Sequence, residues 1–354
     1  MNQTTIPAPR VSTALWRPLY EAANKFAEFQ AWRDISDMVL FALKDPVTGD
    51  IGYCNIMGKL GEFFAFAIYR GESGLECLMK VSMGEYQNIE HEFVQVSDTL
   101  MAEFCSKEGL EKEDLVIMKK LGIKMNDLGL FPCFRSAPKG SFPWFVTKNE
   151  VRYLTFALQC ACDAVEQYRK DPSVFFLNNP CRFRLYTPVK SLLKGTSWKI
   201  ETHFSEPSFE DDEVVDSFRL DKRRIRNIVK ANREKKGVWE VSTVFFPGSV
   251  HDRERPYSPR VALMVDRDSF YVLGTKIVLP EDNYHHKICE KLLEIFEGAP
   301  HLPTQLVFSD AVTCETAEPL AEALGLEVAV EANLPAIKDV SKSMIEAFIN
   351  GPKF

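Results

Sequence analysis

Apolar positions along this chain fall into two alternating patterns, helical spacing in some stretches and short strand-length runs in others. A first helix is predicted over 18–30, where Leu19, Ala23, Phe26 and Ala27 share one face and Pro18 suits a first-turn position. Apolar runs at 38–43 and 51–57 flank Asp45-Pro46-Val47-Thr48-Gly49-Asp50, and that turn chemistry predicts a β-hairpin. A third strand follows at 63–69, then a short helix from Leu75. The strongest helical signal starts at Thr147. Thr147-Lys148-Asn149-Glu150 has the form of a capping box, and Val151, Leu154, Leu158, Ala161, Val165 and Tyr168 continue it as one apolar stripe. Asp171-Pro172-Ser173 breaks that helix, and the domain boundary is placed there.

Beyond the break, strands are predicted at 182–188, 198–204 and 238–246. A hairpin follows at 260–265 and 270–279, then a helix at 284–297. The chain closes with a strand at 305–308, a helix at 316–324 ended by Gly325, a strand at 327–330 and a helix at 337–349. The reading is an N-terminal α+β domain over 1–172 and a C-terminal α/β domain over 173–354. The second would hold a mixed sheet flanked by helices in an RNase H-like arrangement. A chain of 354 residues is longer than one core usually grows, which agrees with two domains.

Composition narrows the function classes. An apolar content of 45% with 26% charged residues is that of a folded, not a disordered, chain. The net charge of −7 gives no global attraction to nucleic acid or an anionic membrane. Nine cysteines at irregular spacing argue for reduced thiols and a cytosolic protein, not a disulfide framework. The longest apolar runs, such as 63–69, are too short to cross a bilayer, so no membrane is expected. The first residues, Asn2 to Thr5 and then two prolines, lack the pattern of an export signal. No phosphate-cradling glycine loop, dinucleotide fingerprint or Gly-x-Ser-x-Gly elbow is present, which removes several common enzyme classes.

Two stretches carry a family resemblance. Asp45-Pro46 through Gly49-Asp50-Ile51-Gly52-Tyr53-Cys54 to Met57-Gly58, with Leu60-Gly61, Tyr69-Arg70-Gly71 to Leu75-Glu76, Phe134-Arg135-Ser136 and Pro143-Trp144, resembles the N-terminal module of an uncharacterised bacterial protein family. Arg255-Pro256-Tyr257 through Val265-Asp266 to Leu324-Gly325-Leu326 is similar to a C-terminal module that often follows it. The resemblance implies the two-module layout and brings no activity, substrate or site residues with it.

Three constellations carry candidate chemistry. Asp266, Asp310 and Asp339, with Asp268 and Glu331 as substitutes, are the acids that an RNase H-like nuclease would need to gather two divalent metals. Asp266 and Asp310 would be the metal ligands, and Mg²⁺ or Mn²⁺ enters only with that alternative; otherwise no cofactor is expected. The run 219–236 is basic, and Ile225, Ile228 and Val229 would turn one face inward. Arg223, Arg224, Arg226 and Lys230 would then point outward, a weak case for nucleic acid against a solvated face balanced by the acids at 210–216. The loop 131–144 offers Arg135, Lys139 and Trp144 as an anion or peptide pocket for a protein partner. Cys160 and Cys162, two apart on a helix, read as core thiols, and His285 and His286 as surface or capping residues. The leading reading is a non-enzymatic binding or interaction protein, with a metal-dependent nuclease or phosphodiesterase as the alternative.

Overall fold

The computed structural model describes residues 11–83, 97–125, 129–177, 179–190, 196–206, 217–231, 233–246, 250–251, 255–279 and 282–350. The chain divides into two compact units, one of residues 4–209 with 251–256, the other of 1–3, 210–250 and 257–354. The boundary expected at 172 therefore falls inside the first unit.

The first unit is built on a seven-stranded sheet. Its strands are β1 (Phe41–Lys44), β2 (Ile51–Met57), β3 (Phe64–Arg70), β4 (Thr99–Cys105), β5 (Phe131–Ala137), β6 (Arg182–Lys190) and β7 (Thr196–Phe204), in the order β5-β4-β3-β2-β1-β6-β7. Neighbours are antiparallel except β1 and β6, which run parallel with Ala42 opposite Leu185. That single pairing draws 182–204 into the first unit. It joins segments some 140 residues apart, and no local pattern announces it.

Helices α1 (Thr13–Phe29) and α4 (Lys148–Lys170) cover one sheet face, with Phe26, Phe41, Phe66, Leu154 and Leu158 in a shared core. The other face packs Tyr53, Tyr69 and Phe183 under α2 (Gly71–Ser82), which supplies Leu75 and Leu78. The helix expected from Pro18 begins five residues earlier, at Thr13. Trp16, buried against Tyr20 and Phe134, holds that extra turn in place. The capping box at Thr147 forms as read, Glu150 N–H donating to Thr147 Oγ1 at 3.4 Å and Thr147 N–H to Glu150 Oε2 at 2.7 Å. Tyr153, one turn further on, crosses β2 to donate its hydroxyl to the carbonyl of Leu43 at 2.9 Å. Gly52 is what permits this crossing, because a Cβ there would collide with the Tyr153 hydroxyl and Ile68.

The run 131–144, expected to be a loop, begins with a full strand. β5 lies at the sheet edge, where Pro132 and its missing N–H cost no ladder bond. α3 (Lys112–Leu121) connects β4 to this edge.

The second unit has strands β8 (Val238–Phe245), β9 (Arg260–Asp266), β10 (Val272–Val278), β11 (Gln305–Phe308) and β12 (Glu327–Val330), ordered β10-β9-β8-β11-β12. β8, β9 and β10 form an antiparallel meander, and β11 and β12 run parallel to β8. α5 (Lys222–Lys230), α6 (Tyr284–Gly298) and α7 (Ala311–Leu324) cover the face carrying Trp239, Met264 and Phe308. α8 (Pro335–Asn350) covers Val261, Leu263, Val265 and Val307 on the other. The mixed α/β layering expected here is present in both units. Among the described residues no helix is long and apolar enough to cross a membrane.

Candidate functional site

A cavity of about 730 Å³ in the first unit opens where the β1–β2 turn, the end of β3 and the starts of α2 and α4 come together. Asp45 accepts the Val47 amide at 2.7 Å and Gly49 adopts φ +83°, so the turn holds its acids at the rim. Arg70, the last residue of β3, donates to Asp98 Oδ1 at 2.6 Å, to Glu150 Oε1 at 2.7 Å and to Ser136 Oγ at 3.3 Å. Arg255 adds a bond to Glu150 Oε2 at 3.3 Å. Burial would push the Glu150 carboxyl up; bonds from Ser136, the Thr147 amide and Arg70 outweigh that and bring it down to about 2.

Five carboxylates line this cleft, Asp45, Asp50, Glu72, Asp98 and Glu150, against one arginine whose charge is already shared by two of them. Asp45, Asp50 and Glu72 have no ion-pair partner among the described residues. Opposite them stand Tyr53 and His203, joined at 3.3 Å. Burial lowers the His203 pKa and raises that of Tyr53, so both are neutral near pH 7 and neither offsets the acids. The cleft is a negatively charged, partly aromatic cavity within the size range of small-ligand sites.

Other residues expected at a site lie elsewhere. Arg135 spends its guanidinium on Asp114, at 3.1 and 2.6 Å, and stacks over Phe145 at 4.9 Å. Lys139 is exposed in the turn after β5, and Trp144 bridges back to Ser136 with its ring against His251. On α5, Arg223, Arg226 and Lys230 are exposed, while Arg224 is clamped to Glu297 at 2.7 and 2.6 Å. Ile225 and Ile228 face the core as expected, but Val229 points to solvent. The acids at 210–216 that were to balance this face lie outside the described residues.

The three aspartates do not converge. β8, not β9, is the first strand of its sheet, so Asp266 ends the second strand. It sits opposite Trp239, whereas Phe308 lies opposite Val241 and Asp310 is two residues further on. At ordinary strand rise and spacing, that register separates Asp266 from Asp310 by roughly 15 Å. Asp266 accepts from the Ser269 amide and hydroxyl at 2.9 and 2.6 Å, closing the β9–β10 turn. Asp310 caps α7 through the Thr313 amide at 2.7 Å, Asp339 is exposed on α8, and Asp268 sits with Asp266 beside a smaller cavity of about 460 Å³. Glu331 pairs with Arg267 at 2.8 Å. Among the described residues, the group close enough to share one ion is Glu103, Cys105 and Cys133, and none of these aspartates is in it. His285, expected at the surface, is buried and bonded to Thr313 at 2.7 Å.

Sequence reasoning did not single out Glu72, Arg70 or His203 as site residues. Arg70 and Glu72 fall within the segment from Tyr69 to Glu76 that carries the resemblance to the first module, and His203 falls in none. Residues 16–183 match a family model described as a domain of unknown function (DUF7309). Residues 224–345 match a second, also described as a domain of unknown function (DUF6930). Neither the curated proteins nor the solved structures offer a match to the chain.

Proposed function

We propose that this chain, composed of two modules whose families carry no assigned activity, is a binding protein whose first unit takes a cationic group of a small molecule or peptide. The excess of carboxylates in the cleft carries the reading: Asp45, Asp50 and Glu72 have no counter-ion among the described residues, and a bound ammonium or guanidinium supplies it. Tyr53 adds an aromatic wall suited to such a group. The test is a titration of the full chain with butane-1,4-diamine, read as a shift in Tm. Wild type should be stabilised, and Glu72→Gln should weaken binding about threefold, the scale of one exposed ion pair. An unchanged affinity in Glu72→Gln and in Asp50→Asn would contradict it.

The order of elements in the second unit favours a second reading, that of an RNase H-like scaffold. Three meander strands, a helix, a central parallel strand, a helix, an edge strand and a last helix follow in that sequence. The nuclease alternative would need its first-strand carboxylate to be Glu240, yet that group is fully buried and bonded to Arg267 and the Ile337 amide. We infer a scaffold without the two-metal chemistry. Millimolar Mg²⁺ or Mn²⁺ should then shift neither the Tm of wild type nor that of Asp266→Asn; a metal-dependent rise that Asp266→Asn removes would restore the alternative. The nine free thiols support a reducing, cytosolic setting.

A further inference from the structure

At the edge of the first sheet, Glu103 and Cys105 of β4 and Cys133 of β5 project from one face. Glu103 and Cys133 are register partners, and Cys105 stands two residues beyond Glu103. Their ligand atoms all lie within 4.8 Å of one another, and the two sulfurs are 3.6 Å apart. A tetrahedral ion with metal–sulfur bonds of about 2.3 Å has a sulfur–sulfur edge of about 3.8 Å, so the pair needs almost no movement to chelate. We propose that Glu103, Cys105 and Cys133 bind a zinc-class divalent ion through two thiolates and one carboxylate.

A disulfide is the competing use of two adjacent thiols. Cys105 is opposite Phe131 in register, so Cys133 is its diagonal neighbour. Diagonal neighbours stand about 7–8 Å apart, beyond the Cα separation of about 6.8 Å at which disulfides end. An ion between the sulfurs spans that gap without moving the strands.

Charge and access agree with this. Burial pushes the Glu103 carboxyl up, and Arg135, fixed by Asp114, works the other way on all three ligands. The hydrogen bond between the thiols holds Cys105 below the usual thiol value, and the same bond together with burial pushes Cys133 up. Ion binding releases the thiol protons to solvent and leaves two thiolates on the metal. Three anionic ligands then face a doubly charged ion. Glu103 and Cys105 are half-buried and provide the way in, while Cys133 is buried. Thiolate ligands favour zinc, cobalt or cadmium over magnesium or calcium.

The full chain, reduced and stripped with a chelator, is titrated with Co²⁺. Expected are one equivalent bound, a thiolate-to-cobalt charge-transfer band and tetrahedral visible absorption, all displaced by Zn²⁺. Cys105→Ser and Cys133→Ser should each remove the charge-transfer band, and Glu103→Gln should weaken binding about tenfold or more. Cys181→Ser, at the other half-exposed cysteine, should change nothing. Should a variant fail to fold, alkylation of the wild type decides: Zn²⁺ should slow modification of Cys105 and leave Cys181 unaffected. The proposal is overturned by absence of both the band and the protection. A Cys105–Cys133 disulfide formed under mild oxidant, with no ion bound by the reduced protein, would overturn it in favour of a redox pair.

Discussion

Replacing Glu150 by alanine should destabilise the first unit by about 3–5 kcal/mol, the cost of stranding buried charge partners. Glu150 is only 13% exposed and receives Arg70, Arg255, Ser136 and the Thr147 amide together. Its removal leaves two arginines short of a partner and opens the cap of the longest helix described. Glu150→Gln keeps an acceptor for the Thr147 amide but no charge, so its loss should be about half as large. The same residue sets an acid limb. Its carboxyl lies at about 2 in the fold against an ordinary 4.5, so the stabilisation is complete above pH 4.5 and disappears as pH falls toward 2. A shift of that size is worth about 3 kcal/mol. Urea melts of the full chain at several pH values, assigned to each unit by hydrogen exchange, provide the check. A loss below about 1 kcal/mol, or an acid limb unchanged in Glu150→Gln, would show that the cluster is not the hub of this unit.

The second large effect is expected at Glu240 in the other unit. This carboxylate is fully buried on β8, accepts Arg267 Nε at 2.7 Å and accepts the Ile337 amide at 2.9 Å. Ile337 is the third residue of α8, one of the positions whose N–H has no partner within the helix. Glu240 thus caps α8 from a neighbouring strand, where the helix dipole also favours a negative charge. Glu240→Ala should cost about 3 kcal/mol, the low end for a broken buried pair, because Arg267 keeps Glu331. Glu240→Leu combined with Arg267→Met should cost clearly less than Glu240→Ala, since no buried charge is then stranded. Equal losses in the two variants would mean that packing, not the ion pair and cap, sets the effect.

The layers of this protein were more legible than its site. The capping box at Thr147 appeared from four residues because a helix start is local chemistry. β2, β11 and β12 appeared with their true limits, since each is a short apolar run between clear breaks. The strand at 131–137 was hidden by Pro132 and the prolines after it, which only an edge position makes harmless. The domain boundary was misplaced because a parallel pairing between β1 and β6 leaves no periodic trace. Site residues fared worst. Glu72, Arg70, Glu150 and His203 come from four separate elements, and the thiols of Cys105 and Cys133 meet although they are 28 positions apart in the chain. Conversely, Arg135 and the three aspartates had chemistry to offer, but their neighbours already use it for an ion pair, a turn and a helix cap, or leave it on an exposed helix face.

Calorimetric titration of the full chain with butane-1,4-diamine and with its N,N′-diacetyl derivative isolates charge from shape. The diamine should bind at a single saturable site, with affinity that falls as salt rises, while the uncharged derivative shows no heat. Equal binding of the two compounds, or uptake of inorganic phosphate in place of the diamine, would contradict a cleft built to receive positive charge.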